Sequence, residues 1–182
     1  SDDPAFLRRW AYLAQIGEEI SPSILEANYN DAVKALESLN ANHWDVANTR
    51  LQELSKALSS KGLECLTNET HFFDLVEKAE KARGEEKYDQ AAEYYKQALE
   101  TLKKLPPEDA RFIREEEVGD LSLFWEEMKT LAATREPADH LYKESFRLLQ
   151  QGELGEALNK SWSAYEVDRG APFRFERLHD LM

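Results

Sequence analysis

Residues 71–107 read HFFDLVEKAEKARGEEKYDQAAEYYKQALETLKKLPP, and this segment predicts two helices joined by a short polar turn. Apolar residues recur on each side of the turn at the three- and four-residue spacing of one helix face. Before the turn they are Phe72, Leu75, Val76, Ala79 and Ala82, and after it Tyr88, Ala91, Ala92, Tyr95, Ala98, Leu99 and Leu102. Pro106 and Pro107 stop the second helix. We therefore expect an antiparallel helical hairpin in which Ala79 and Ala91 face each other closely.

The spacing of small residues in this hairpin resembles that of the tetratricopeptide repeat, a helix–turn–helix unit. Ala91 follows Ala79 by twelve residues, and Ala98 follows Ala91 by seven. Tyr88 and Tyr95 stand at the aromatic positions of the second helix. The resemblance implies stacked helical hairpins whose first helices line a concave wall.

Two other segments repeat the pattern in degenerate form, one over residues 29–60 and one over residues 138–169. Each has a small residue twelve positions before an alanine. The pairs are Ala35–Ala47 and Ser145–Ala157. The alanines at 47, 91 and 157 are separated by 44 and 66 residues, whereas the family's repeat is about 34 residues long. A plain tandem array is therefore excluded, and additional helices must lie between the units.

These patterns predict a single all-α domain over residues 1–182, built as a solenoid or compact bundle of stacked antiparallel hairpins with about eight to ten helices. The three units lie near 29–60, 71–107 and 138–169, with non-repeat helices at 4–17, 108–136 and 172–182. In the first of these helices we expect an apolar face of Phe6, Leu7, Trp10, Leu13 and Ala14. The segment 108–136 reads as one helix bent at Gly119, or as two helices with Asp120 as the cap.

Two further boundaries follow from proline positions. Ser21 and Pro22 predict the start of one helix that runs to Asn40, because Pro suits the first helical position. Pro137 predicts the start of the first helix of the third unit.

Composition narrows the class of partner. A net charge of −13 disfavours nucleic acid, which needs clustered Lys and Arg. No apolar run approaches the roughly 20 residues that span a bilayer, so we expect a soluble protein without a membrane partner.

The single Cys65 is expected to be a buried thiol, which suits a reducing compartment such as the cytoplasm. The chain opens on Ser1 instead of Met, which suggests a processed end or an excised fragment.

No residue pattern predicts a reaction. The four histidines are scattered without metal-ligand spacing, and the chain has no Gly-rich phosphate loop, nucleophile elbow or Cys–His arrangement. Adjacent carboxylates such as Glu126 and Glu127 are expected to form solvated helix faces, because 36 acidic residues make such pairs common. We therefore expect no catalytic residues, no metal and no cofactor.

Surface recognition is the remaining class of function. The resemblance implies a concave, partly aromatic groove that binds a peptide or helix of another protein. The groove positions that it implies for a partner are Tyr29, Phe73, Val76, Glu80, Arg83, Tyr142 and Phe146, with Ala32, Leu36 and Asp139 beside them. In the alternative, the same faces are buried by the additional helices, by a homo-oligomer or by a larger parent chain. The protein would then be a structural or regulatory domain.

Overall fold

A computed structural model describes residues 3–168, and every regular element in this range is helical. The expected all-α class, with about eight to ten helices, is confirmed for these residues. The α-helices are α1 Pro4–Glu19, α2 Pro22–Ala27, α3 Tyr29–Asn40, α4 Trp44–Ala57, α5 Lys61–Gly84, α6 Tyr88–Leu102, α7 Pro107–Phe112, α8 Leu121–Gln150 and α9 Leu154–Asp168. A π-helical segment, Ile113–Val118, follows α7 directly. The helix predicted over residues 172–182 lies outside the described range.

The described chain divides into two compact units. The first contains residues 3–80 and 94–122, and the second contains residues 81–93 and 123–168. Because α5 and α6 each contribute to both units, the division follows packing and not the order of the chain.

The core of the first unit forms around the α3–α4 pair, whose helices pack directly on each other. Ala35 and Ala47 are both fully buried, as the predicted close contact requires. Apolar side chains of α1 and of the first turns of α5 pack against α3 and α4 to form one cluster. The buried members of the cluster are Tyr12, Ile20, Ala35, Leu39, Ala47, Leu51, Leu54, Leu58, Leu63, Cys65 and Leu66. Cys65 is a buried free thiol, as expected from the sequence.

The contact between α1 and α5 depends on Gly62. A Cβ atom at this position would lie 2.6 Å from the backbone oxygen of Tyr12, a distance that no real side chain allows. Gly62 therefore lets two helix backbones approach closely. At the same end of α1, the Glu19 carboxylate accepts hydrogen bonds from Ser60 Oγ and Lys61 N at 2.5 and 2.7 Å. These bonds satisfy groups at the start of α5 that have no partner within the helix.

Three turns join consecutive helices near the predicted positions. The left-handed residues of these turns are Asn42, Glu86 and Gly152, with φ of 55°, 59° and 82°. Glu86 carries a Cβ in a conformation that favours glycine, while Gly84 ends α5. In the third hairpin, Ser145 Oγ donates to the backbone oxygen of Ala157 at 2.7 Å. That contact joins α8 to α9 through the two small residues that the sequence paired.

Some helix boundaries differ from the prediction and others follow it. The helix predicted from Ser21 to Asn40 is interrupted at Asn28, whose side-chain nitrogen donates to the backbone oxygen of Ile24 at 2.9 Å. This local bond competes with helix continuation. Helix α5 begins at Lys61, well before the predicted hairpin. The segment after Pro107 forms two helices separated at Gly119, which has φ of 72°, and this is the second of the two predicted alternatives.

Pro137 lies inside α8 and does not begin a helix. The helix runs through it for 30 residues, so the first helix of the third unit is continuous with the preceding segment. Glu136, the residue before this proline, contacts α6. Its Oε1 accepts hydrogen bonds from Tyr88 N and Asp89 N at 2.8 and 3.3 Å. A carboxylate from α8 thus caps the N-terminus of α6, where exposed N–H groups and the helix dipole favour negative charge.

Candidate functional site

Helix α1 turns two arginines toward the body of the first unit. Asp3 caps the helix by accepting from Ala5 N at 3.0 Å, and Pro4 occupies its first turn. Arg8 Nη2 and Arg9 Nε then lie 3.0 and 3.1 Å from Oε1 of Glu69 on α5. Glu69 is 1 % exposed, so both ion pairs form away from water. The orientation of α1 is therefore fixed by a buried carboxylate that holds two guanidinium groups.

Other contacts stabilise the same orientation. Arg8 also lies 3.4 Å from Glu117 and 5.1 Å above the ring centre of Phe112. Burial lowers the pKa of the Arg8 guanidinium, but the hydrogen bonds and charges of Glu69 and Glu117 outweigh it and raise the pKa. Tyr12 donates its hydroxyl proton to the Asp109 carboxylate, and burial followed by this bond raises the pKa of the phenol. The polar groups of Arg8, Arg9 and Tyr12 on the inward side of α1 thus all have partners in the first unit.

The opposite side of α1 carries large apolar residues that stand in solvent. Phe6, Leu7 and Trp10 are 47, 54 and 62 % exposed, and the Phe6 and Trp10 rings stack with centroids 6.2 Å apart. The expected apolar face of α1 is therefore exposed to solvent at these three positions. Leu13, which the same expectation placed there, is partly buried against the core of the first unit, while Ala14 is exposed. We call Phe6, Leu7 and Trp10 the α1 apolar face.

The sequence contains a second apolar line on α1, and this line marks the side of the helix that is buried. Tyr12, Ile16 and Ile20 follow at four-residue spacing, which marks a second apolar line in register with Arg8 and Arg9. Tyr12 and Ile20 are buried, and Ile16 packs against the same cluster. Periodicity alone could not choose between the two lines, because the choice depends on Glu69, about 60 residues further along the chain.

Four of the predicted groove residues lie in the first unit, and they differ in accessibility. Tyr29 and Glu80 are exposed, whereas Val76 is buried and has no surface for a partner. Phe73 is half-buried. Its ring stacks on Trp44 with centroids 4.7 Å apart, and the Arg9 guanidinium lies 5.9 Å from its centre. Helix α1 thus takes part in covering Phe73, as the alternative of additional covering helices predicts for this position.

The other three predicted groove residues lie in the second unit. Arg83 is exposed, and its guanidinium lies 3.7 Å from Glu127 and 5.5 Å above the Phe124 ring. Tyr142 is half-buried, and burial raises the pKa of its phenol. Phe146 is exposed. Of the two aromatic residues among these three, Phe146 is therefore the more accessible to a partner.

A polar cluster joins α4 to α5. Asn48 Nδ2 lies 3.2 Å from both His71 Nδ1 and Asp74 Oδ2, and Lys78 Nζ donates to the same Asp74 oxygen at 2.7 Å. Asp74 is buried, and its Oδ1 has no hydrogen-bond partner in the protein. Burial lowers the pKa of His71, with the charge of Asp74 opposing the shift. The cluster thus links α4 to α5 through hydrogen bonds of Asn48 with His71 and Asp74.

Three further features of the described residues bear on what the chain can bind. Within residues 3–168, no three His, Cys, Asp or Glu side chains are arranged to hold a metal ion. No helix in the described part of the chain has the length and apolar composition needed to cross a membrane. A cleft of about 390 Å³ lies beside α3 and α4. It is lined by Asp31, Thr49, Arg50, Glu53 and Leu54, a set without a paired base and nucleophile.

Comparison with protein-family models, with curated proteins and with solved structures found no match. The resemblance to the tetratricopeptide repeat therefore stays a prediction that rests on residue spacing.

Proposed function

We propose that the chain is a non-catalytic protein-interaction module, related to tetratricopeptide-repeat proteins, that binds a helix or peptide of another protein. The observation that supports this function is the α1 apolar face. Two arginines are turned inward on this helix while Phe6, Leu7 and Trp10 stand in water. Contiguous exposed apolar side chains mark interaction surfaces, whereas apolar residues exposed singly are common and need no explanation. Aromatic anchors of this kind supply most of the affinity at protein interfaces.

Charge indicates the chemistry of the partner. The chain carries a net charge of −13, and both arginines of α1 are paired with Glu69. A partner helix with one apolar face and flanking Lys or Arg residues complements such a surface. An acidic partner would be repelled. We therefore propose a basic amphipathic segment of another protein as the ligand, in a cytoplasmic setting that fits the single buried Cys65.

The predicted groove offers a second surface for the same function. Tyr29, Arg83 and Phe146 remain accessible in their own units, whereas Val76 is buried. Substitution separates the two surfaces. Trp10→Ser removes an aromatic anchor from α1, and Tyr29→Ser removes an equally exposed aromatic from the groove positions of the same unit.

Affinity capture from an extract of the source cells, followed by mass spectrometry, tests the proposal. We expect one set of proteins to bind the parent chain and the Tyr29→Ser variant but not the Trp10→Ser variant. Retention by both variants would remove the α1 apolar face from the account. Loss with Tyr29→Ser alone would move binding to the predicted groove.

The alternative function is a structural or regulatory domain that buries the same faces in a homo-oligomer or in a parent chain. The α1 apolar face also supports this function, because a second copy could cover it. Sedimentation at several concentrations separates the two, since only self-association gives a dimer that Trp10→Ser dissociates.

A further inference from the structure

Helix α9 has a buried line of small residues and an exposed line of large apolar ones. Ala157 and Ala164 are buried on the side where Ser145 of α8 donates to the Ala157 oxygen. About a quarter of a turn away, three residues recur at four-residue spacing and stand in solvent. These residues are Leu154, Leu158 and Trp162.

Helix α8 extends the exposed line on the same side of the α8–α9 hairpin. On α9, the Trp162 ring lies 5.5 Å from the Tyr165 ring, centre to centre. Burial, followed by the charges of Asp168 and Tyr165, raises the pKa of the Tyr142 phenol on α8, so these side chains lie near one another. Phe146 follows Tyr142 by one turn of α8 and is exposed. The aromatic residues of both helices therefore share one side of the hairpin.

Five large apolar side chains are exposed on this side, since Leu149 lies on the same face of α8 as Phe146. We call them the α8–α9 apolar surface. They are Phe146, Leu149, Leu154, Leu158 and Trp162, and they are between 51 and 71 % exposed.

The area of the α8–α9 apolar surface is large for a single chain. The five side chains present roughly 600 Å², given that one aromatic side chain alone buries about 150–250 Å² when covered. The largest apolar patch on a typical monomer is about 300–600 Å². Two copies of this surface placed face to face would bury roughly 1,200 Å², which reaches the range of specific, stable interfaces.

We propose that the α8–α9 apolar surface is the interface of a homodimer, in which the α9 helices of two copies pack antiparallel about a twofold axis at Leu158. The spacing of the apolar residues suits such an axis. Leu158 meets its own copy, and Leu154 and Trp162 lie four residues to either side of it. Leu154 of each copy therefore meets Trp162 of the other, as a self-complementary interface requires.

Gly155 leaves space for a second helix beside this axis. It precedes Leu158 by three residues and so borders the exposed line of α9. A Cβ atom built at Gly155 would have no other atom within 4 Å. A second α9 can therefore approach the backbone closely at this point.

The distribution of charge favours a second copy over a basic segment of the kind proposed for the α1 apolar face. Gln150, Gly155 and Asn159 border the surface and carry no charge, so a basic ligand would meet no carboxylate at these positions. Glu166 lies about 12 Å along α9 from Leu158, at one end of the surface. In an antiparallel pair the two copies of Glu166 are about 24 Å apart along the helices, well beyond the screening length of about 8 Å at physiological salt.

Sedimentation of the full chain at several concentrations and physiological salt tests the proposal. We expect a monomer–dimer equilibrium. Leu158→Arg should raise the dissociation constant at least about tenfold, because it places two like charges at the axis. Ser163→Arg adds the same charge on another exposed side of α9 and should change the dissociation constant less than about twofold. Thermal unfolding should be alike for both variants at concentrations where the chain is monomeric, since both positions are exposed.

Disulfide formation between copies tests the register, with Cys65→Ala to remove the native thiol. Under mild oxidation Leu158→Cys should form a disulfide between two copies, whereas Ser163→Cys should form little or none. A mixture of Leu154→Cys and Trp162→Cys variants should form a mixed disulfide in higher yield than either variant forms with itself. Equal yields from Leu158→Cys and Ser163→Cys would overturn the proposal.

The proposal does not depend on the function of the α1 apolar face, because it concerns a different helix. Trp10→Ser should leave the dissociation constant of the dimer unchanged, and Leu158→Arg should leave the capture of another protein by the α1 apolar face unchanged. A chain that stays monomeric at every concentration would overturn the proposal. A dimer that Trp10→Ser dissociates and Leu158→Arg does not would also overturn it.

Discussion

Arg8 of α1 and Glu69 of α5 form a buried ion pair, with Nη2 and Oε1 3.0 Å apart. The same oxygen lies 3.1 Å from Arg9 Nε. One carboxylate therefore orients α1 and, in doing so, leaves Phe6, Leu7 and Trp10 facing solvent. The exposed apolar face is a direct consequence of how these charges are satisfied.

Glu69→Gln should lower the free energy of unfolding by about 3 kcal/mol, because it leaves two guanidinium groups with less negative charge in a buried site. Urea unfolding followed by circular dichroism measures this change. The matched control is Glu117→Gln, which removes a longer and more exposed partner of Arg8. We expect the control to cost less than about 1 kcal/mol. Equal effects of the two substitutions would show that Glu69 does not anchor α1.

The helical hairpins could be predicted from the sequence because their determinants are local. Apolar residues at helical spacing, a short polar turn and a small residue at each close contact all lie within about 35 residues. The orientation of α1 could not be predicted from the sequence, because it depends on a pairing between Arg8 and the distant Glu69. The continuity of α8 through Pro137 was missed because proline is disfavoured inside a helix and favoured at its first position, so it predicted a helix start.

Ala91→Leu should lower the free energy of unfolding by about 1–3 kcal/mol through overpacking. Ala91 is fully buried, so three additional carbon atoms have no space without displacing a neighbour. Ala133→Leu on α8 is the control, because its side chain is exposed. Thermal unfolding of both variants provides the measurement. A melting temperature for Ala91→Leu equal to that of the parent chain would remove the central hairpin from the account.

Ser145→Ala tests the contact that joins α8 to α9. The Ser145 hydroxyl is bonded to the Ala157 oxygen at 2.7 Å and to Ser161 Oγ at 2.5 Å. Its loss should cost about 1 kcal/mol, the usual net contribution of a hydrogen bond. Ser163→Ala removes a hydroxyl that bonds only within its own helix. We expect that control to have almost no effect in urea unfolding, and a cost as large as that of Ser145→Ala would argue against the interhelical bond.

His71 should make stability depend on pH below neutrality. Burial lowers its pKa in the folded chain, with Lys104 and Lys78 adding to the shift and Asp74 opposing it. Just below the unfolded pKa of about 6.5, the unfolded chain therefore binds more protons than the folded one. The free energy of unfolding must fall as the pH decreases from about 6.5.

Urea unfolding at pH 7.5 and pH 5.5 measures this dependence on the parent chain and on His71→Gln. The variant should lose less stability between the two pH values than the parent does. Carboxylates contribute to both proteins alike, so the difference between the two slopes reports His71. Parallel slopes would show that His71 titrates normally in the folded protein.

The candidate binding surface was predictable only in part. An aromatic surface was expected, and Tyr29 and Phe146 are indeed exposed, but Phe73 stacks on Trp44 beneath Arg9 and Val76 is buried. The residues of the α1 apolar face were recognised as one helical line, but the sequence did not indicate that this line faces solvent. A line of apolar residues predicts that a helix has an apolar face. The packing of the other helices determines whether that face is buried or exposed to solvent.

Photo-crosslinking in the source cells tests most directly whether the α1 apolar face binds another protein. We would place p-benzoylphenylalanine at the position of Trp10 in one variant and at the position of Tyr29 in another. We predict that position 10 forms an adduct with another protein, at an apolar helix of that protein flanked by Lys or Arg. We predict little or no adduct at position 29. Adducts only at position 29, or adducts of the chain with itself, would contradict it.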